Sequence, residues 1–169
     1  MFELGCGGER DSAVLTAAGN RVIGVDRSAA AIAKAQARVP EGEFHCQDIR
    51  APFPVPADGV GVIVASLSLH YFAWEETVDL VERVRRTLGQ AGLLLCRLNS
   101  VNDHHFGANG HPQIDENFYL VDGEPKRFFD RPAVERLFAI GWRPLGVEEK
   151  VINRYERPKS VWEMALEKS

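Results

Sequence analysis

The sequence has no apolar run approaching the ~20 residues that span a bilayer; its longest, Val60 to Ala65 and Gly92 to Cys96, have the length of buried strands. No membrane-spanning helix is therefore expected. Cationic excess is missing too: 20 Lys and Arg stand against 24 Asp and Glu, a formal net charge of −4. A nucleic-acid surface would need a local basic patch, and Lys126-Arg127 with the stretch Arg154 to Lys159 is too sparse to make one. The three cysteines, Cys6, Cys46 and Cys96, are odd in number, widely spaced and set in apolar segments. They exclude a disulfide framework and predict reduced core thiols in a cytoplasmic protein. No basic leader followed by an apolar segment opens the chain. No repeat, low-complexity tract or Gly/Ser linker divides it, so a single domain over residues 1–169 is expected.

What is present is an alternation of short Val/Ile/Leu runs with segments of helical spacing. The runs are Arg21 to Val25, Glu43 to Cys46, Gly61 to Ser66 and Leu93 to Leu98. Alternation of this kind predicts an α/β fold, a mostly parallel sheet with helices on both faces. Asp11 and Ser12 open a helix over Arg10 to Ala18 that stops at Gly19-Asn20. Ser28 caps a second, Ala29 to Val39, ended by Pro40. A third, Trp74 to Leu88, lines up Val78, Val81, Val84 and Leu88, and a fourth, Arg131 to Ile140, carries Val134, Leu137, Phe138 and Ile140 as its apolar face. Between the last two, Phe118 to Val121 turns at Asp122-Gly123 into a hairpin whose second arm Pro125 confines to an edge. The terminal strands, Leu145 to Ile152 and Val161 to Glu167, are joined too closely for a parallel crossover and should be antiparallel.

The first run ends in Glu3-Leu4-Gly5-Cys6-Gly7-Gly8 and opens a helix, which aims backbone N–H groups and a positive helix terminus at any ligand there. A tight strand-to-helix turn alone would explain the glycines. The second run ends in Asp26, 19 residues after Gly7, where a carboxylate can accept both ribose hydroxyls of an adenosine. The third ends in Gln47-Asp48-Ile49, offering Asp48 to the adenine amine and Ile49 to its face. Three consecutive strand ends with adenosine-complementary chemistry form a joint signal. The dinucleotide fingerprint would require glycine at position 10, where Arg10 stands.

Taken in order, Glu3-Leu4-Gly5-Cys6-Gly7, Val25-Asp26-Arg27-Ser28, Gln47-Asp48-Ile49, Ala65 to Phe72 and Leu88-Gly89-Gln90-Ala91-Gly92-Leu93-Leu94 resemble the class I S-adenosylmethionine-dependent methyltransferases. Arg97 to Asp103, Lys126 to Phe129 and Arg154-Tyr155 make the small bacterial tellurite-resistance-type branch the nearest likeness. The resemblance implies a Rossmann-like, doubly wound seven-stranded sheet in order 3-2-1-4-5-7-6 with strand seven antiparallel. It implies S-adenosylmethionine as cofactor, held by Glu3, Gly5, Cys6, Gly7, Gly8, Arg10, Asp26, Arg27, Asp48, Ile49, Ser66 and Leu67. Two departures stand out. Glu9 occupies the third glycine position of the family loop, and the helices that usually precede the first strand and cover the cofactor have no counterpart in this sequence. The second departure motivates the expectation of a homodimer.

Ligands of open α/β sheets sit beyond the carboxyl ends of the strands, so Ser66 to Phe72, at the fourth strand end, should face the reacting methyl group. His70 is the candidate general base, its ordinary pKa near 6.5 suiting neutral pH, and Tyr71 is a candidate hydroxyl contact. A hydrogen-bonded structural histidine is the competing reading of His70. Residues 101–130 read as a substrate lid, and Arg97, Asn99, Asn102, His105 and Tyr119 as acceptor contacts. His104, His105 and His111 with Asp103, Asp115 and Glu116 match no zinc spacing, so no metal is expected. The function expected is methyl transfer to a small-molecule acceptor. The alternative is a chain of the same descent that only binds the cofactor or serves as a partner subunit.

Overall fold

The computed structural model describes residues 1–7, 10–153 and 155–169. The expectations attached to Gly8, Glu9 and Arg154, and to the side chains of Arg10 and Asp11, lie outside the described residues.

β1 (Phe2–Leu4), β2 (Ile23–Asp26) and β3 (Glu43–Cys46) run parallel, with α1 (Arg10–Ala17) and α2 (Ala29–Arg38) between them. β4 (Val60–Ser66) flanks β1 on its other side, and α3 (Trp74–Thr87) returns the chain to β5 (Leu88–Asn99), parallel to β4. β6 (Gln113–Asp115), β7 (Phe118–Val121) and β8 (Glu124–Arg127) form a separate antiparallel sheet. After α4 (Arg131–Leu137), β9 (Trp142–Ile152) turns back into β10 (Lys159–Lys168), which inserts antiparallel between β5 and β9. The main sheet thus reads β3-β2-β1-β4-β5-β10-β9. Counted along the chain, the order ends 10-9 where 7-6 was expected, because β6, β7 and β8 intervene and pair with one another.

Strand alternation separates the two faces of the sheet. Phe2 and Leu4 point to the side where Leu80, Val81 and Val84 of α3 and Val134 and Leu137 of α4 are buried, together with Trp162 and Met164 of β10. Glu3 points the other way and accepts a hydrogen bond from Ser12 of α1. Helices therefore lie on both faces. Side-chain caps fix two helix starts: Ser28 accepts from the Ala31 amide at 3.2 Å and Asp130 from the Ala133 amide at 2.8 Å, each worth about 1 kcal/mol. At the hairpin, Asp122 and Gly123 both take positive φ, 53° and 80°, the backbone of a type I′ turn. Pro125 lies on β8, an edge strand, where its missing N–H costs no ladder bond.

Three details differ from the sequence reading. Cys6 and Cys96 are buried, but Cys46 is exposed because β3 is an edge strand. Val78 is exposed, since the buried stripe of α3 runs through Thr77, Leu80, Val81, Val84 and Thr87, one residue out of phase with it. α4 ends at Leu137, and Ile140, 87% exposed, lies beyond it just before Gly141. Among the described residues no helix is long and apolar enough to cross a membrane.

Candidate active site

Leucine and valine strands stop where glycine and acid begin, and the cavity of interest opens there. Gly5 (φ +69°) and Gly7 (φ +57°) turn the chain off β1. The Gly5 and Cys6 amides donate to the Val25 carbonyl at 2.9 and 3.0 Å, bracing the loop against β2. A Cβ on Gly5 would lie 2.7 Å from Ser68 Cβ, so no other residue fits without displacing the end of β4. Asp26 closes β2, with Oδ2 accepting from the Gly7 amide at 2.9 Å and Oδ1 from the Ser28 amide at 2.8 Å. Each oxygen keeps a lone pair, and the carboxylate lines a cavity of about 560 Å³.

At one end of the cavity Asp48 takes three bonds from its neighbour Arg50. Oδ1 accepts from the Arg50 amide at 2.8 Å and from Nε at 2.9 Å, and Oδ2 accepts from Nη2 at 2.6 Å. The Arg50 guanidinium thereby holds the Asp48 carboxyl below the usual carboxylate range. Ile49, nearly buried, shares this wall. The same guanidinium lies 5.7 Å above the Phe72 ring, which places Phe72 near Asp48.

Across the cavity the end of β4 is strained. Leu67 adopts φ +59°, a left-handed conformation unusual for a branched apolar residue, and its amide donates to the Arg97 carbonyl at 3.0 Å. Strain of this kind concentrates at functional sites, and here it presents Leu67 and Ser68 to the cavity. Tyr71 lines the same wall, and burial raises its pKa although Arg27 opposes the shift. The β7–β8 hairpin supplies the facing side through Phe118, Glu124 and Pro125. Arg27 Nη2 reaches Glu124 Oε1 at 2.8 Å, joining the loop after β2 to the hairpin.

The expected site residues therefore part company. Gly5, Asp26, Arg27, Asp48, Ile49, Leu67 and Tyr71 converge on the cavity wall. Cys6 is buried under the loop, where desolvation and the charges of Glu3 and Asp26 push its thiol up to about 12. Glu3 is buried against Ser12. His70 is also buried. It stacks on Tyr71 with ring centroids 4.1 Å apart, and burial, helped by Lys159 and Lys126, pushes its pKa down to about 3.

Ser66 and Arg97 sit side by side across β4 and β5 and face a different hollow of about 540 Å³, on the α1 side of the sheet. Arg97 is paired there with Glu163 at 2.7 Å. Asn99 is buried, its carbonyl oxygen accepting from the Phe129 amide at 2.8 Å. Asn102 donates to Glu149, His105 is exposed, and Tyr119 packs on Phe128 with centroids 6.0 Å apart. Ser68 and Phe72, within the stretch expected at the fourth strand end, also line the cavity, and Arg50, Glu76, Phe118 and Glu124 reach it without a role expected from sequence. Arg50 carried one legible signal, its i+2 spacing from Asp48; the hairpin residues carried none, because their contact is 97 positions long. Among the described residues no three His, Cys, Asp or Glu side chains gather as metal ligands.

Residues 1–92 match the family model described as a methyltransferase domain. A trans-aconitate 2-methyltransferase of Paracidovorax citrulli is 33% identical over 100 residues, 58% of this chain and 38% of that protein. An uncharacterized methyltransferase of Bacillus licheniformis is 33% identical over 140 residues, 83% of this chain and 66% of that protein. The chain thus spans less than two thirds of either curated relative. A crystal structure described as a SAM-dependent methyltransferase of Methanosarcina mazei superposes with a TM-score of 0.80 over 99% of this chain and 91% of that one. At 15% identity that likeness is one of fold.

Proposed function

Because this chain belongs to the methyltransferase domain family, we propose that its cavity binds S-adenosylmethionine and that the chain methylates a small-molecule acceptor by direct in-line displacement. Within the family, the reading places it nearest the tellurite-resistance-type branch. The observation that carries it is Asp26: two backbone amides orient its carboxylate at the cavity wall, beside a glycine turn in which Gly5 has no room for a side chain. That donor and acceptor set suits a ribose diol, and the volume of about 560 Å³ falls within the range of small-molecule sites.

When bound, S-adenosylmethionine supplies a methyl carbon already attached to a sulfonium leaving group, so the acceptor's lone pair displaces the thioether directly and the acceptor's proton passes to water. The chain's part is positioning. Asp26 accepts the ribose hydroxyls, Asp48 and Ile49 take the edge and face of the adenine, and Gly5 to Gly7 let the backbone approach closely. Leu67 and Ser68 fix the wall beside the reacting carbon, and Tyr71 orients the acceptor. His70, neutral and packed behind Tyr71, acts as a positioning residue for that ring.

The test is incubation with methyl-labelled S-adenosylmethionine and a panel of small acceptors. Label transfer with matching formation of S-adenosylhomocysteine, lost in Asp26→Ala, is the expected result. Turnover that survives Asp26→Ala undiminished contradicts the assignment.

A further inference from the structure

Arg127, the last residue of β8, touches the cavity only through its neighbours. It is not one of the lining residues, and its side chain, 6% exposed, faces a smaller hollow of about 160 Å³ beside α4. Its backbone amide donates to the His70 carbonyl at 2.7 Å, Nε to the Phe72 carbonyl at 3.3 Å and Nη1 to the Glu116 carbonyl at 3.1 Å. The guanidinium carbon lies 4.6 Å from the centroid of the Phe118 ring. One buried side chain thus ties the loop after β4 to the turn between β6 and β7. Phe72 and Phe118, the two rings it braces, line the cavity from those two segments. The Arg27–Glu124 pair is a second tie to the hairpin, but its side chains are 67% and 45% exposed and solvent screens it.

The charge of Arg127 is answered weakly. Its ion pair with Asp115 is 3.8 Å long and the Asp115 side chain is 64% exposed; burial lowers the arginine's pKa, against the pull of Asp115. A guanidinium placed here costs desolvation that an apolar side chain of similar length would not. What it adds is a rigid fork, with N–H groups fixed relative to one another and aimed at two separate segments. On the cofactor reading above, we propose that Arg127 is a positioning residue for S-adenosylmethionine: its guanidinium fixes the loop bearing Phe72 against the hairpin bearing Phe118, so the cavity is formed before the ligand arrives. A ligand that enters between walls already fixed spends no binding free energy on ordering them. Without the fork, the hairpin and the loop must be ordered on each other as the ligand binds.

The test is calorimetric titration of the full chain with S-adenosylhomocysteine at several temperatures, comparing wild type with Arg127→Met and Arg127→Lys, each held where circular dichroism shows it fully folded. Arg127→Met keeps most of the bulk and loses every donor; its affinity should fall about tenfold or more, with a more negative heat-capacity change of binding as the walls become ordered. Arg127→Lys keeps the charge without the fork and should recover only part of the loss. A residue that merely holds the fold together would lower the unfolding midpoint and leave both the affinity and the heat-capacity change of the folded chain at their wild-type values. That result in Arg127→Met, or full recovery in Arg127→Lys, overturns the proposal while leaving the cofactor site standing. If Arg127→Met does not fold, Arg127→Lys decides, and failure of both to fold overturns the proposal. Failure of the wild-type chain to bind S-adenosylhomocysteine overturns the cofactor reading and this proposal with it.

Discussion

His70 and Tyr71 are adjacent in sequence and stacked in space, with ring centroids 4.1 Å apart and planes inclined by 37°, yet only Tyr71 reaches the cavity wall. Burial, reinforced by Lys159 and Lys126, pushes the His70 pKa down to about 3 from 6.5. In the unfolded chain the imidazole titrates near 6.5, so between that pH and about 3 the unfolded state binds the additional proton. The contribution of His70 to stability is therefore complete above pH 6.5 and is lost as pH falls toward 3. Urea midpoints measured from pH 7.5 to 4.5 should fall in the wild type and fall less steeply in His70→Gln. A steeper fall in His70→Gln would contradict the buried neutral imidazole.

Gly5 and Gly7 both take positive φ but differ in surroundings. A Cβ on Gly5 meets Ser68 Cβ at 2.7 Å, whereas a Cβ on Gly7 meets nothing within 4 Å. Gly7→Ala should cost only the left-handed backbone penalty, about 1–2 kcal/mol. Gly5→Ala should cost more, because β4 must also shift, and overpacking adds about 1–3 kcal/mol. Chemical denaturation of both variants checks the order; equal losses would mean that the Gly5–Ser68 contact relaxes freely.

Lys159 and Asp103 form a buried pair, Nζ to Oδ2 at 2.6 Å, and Asp103 Oδ1 also accepts from the Ser160 amide at 3.1 Å. This clasp ties the segment after β5 to the start of β10, with the Lys159 Nζ 4.6 Å from the Phe106 ring. Lys159→Met leaves the Asp103 charge buried and unpaired, at a cost of about 3–5 kcal/mol. Adding Asp103→Leu should recover part of that loss, and a double-mutant cycle by urea unfolding measures the coupling. Strictly additive losses would show that the two charges do not depend on each other.

The parallel strands, the capped helices and the Asp122-Gly123 hairpin were readable because each rests on local periodicity or turn chemistry. The acids at the ends of β2 and β3 were readable for the same reason: a strand end is visible in sequence, and parallel pairing in register carries Asp26 beside Cys46, just ahead of Asp48. Ser66 and Arg97 were misjudged by strand parity. Their registered pairing, extended to Glu163, turns all three to the α1 face and away from the cavity. Burial of His70 was hidden because it depends on the backbone at Arg127, whose amide donates to the His70 carbonyl at 2.7 Å. The hairpin wall was hidden outright, since Phe118 and Glu124 owe their place to contacts that no local pattern encodes.

The central claim is that Asp26 and the glycine turn form a cofactor site. Asp26 accepts from the Gly7 and Ser28 amides at 2.9 and 2.8 Å with lone pairs left for a ligand, and hydrogen bonds to a charged group contribute about 1.5–3 kcal/mol each. Calorimetric titration of the chain and of Asp26→Ala and Asp26→Asn with S-adenosylmethionine and S-adenosylhomocysteine tests it most directly. Micromolar binding that weakens at least tenfold in Asp26→Ala, and less in Asp26→Asn, is the predicted result. No binding by the wild-type chain at millimolar ligand, or binding indifferent to both substitutions, would contradict it.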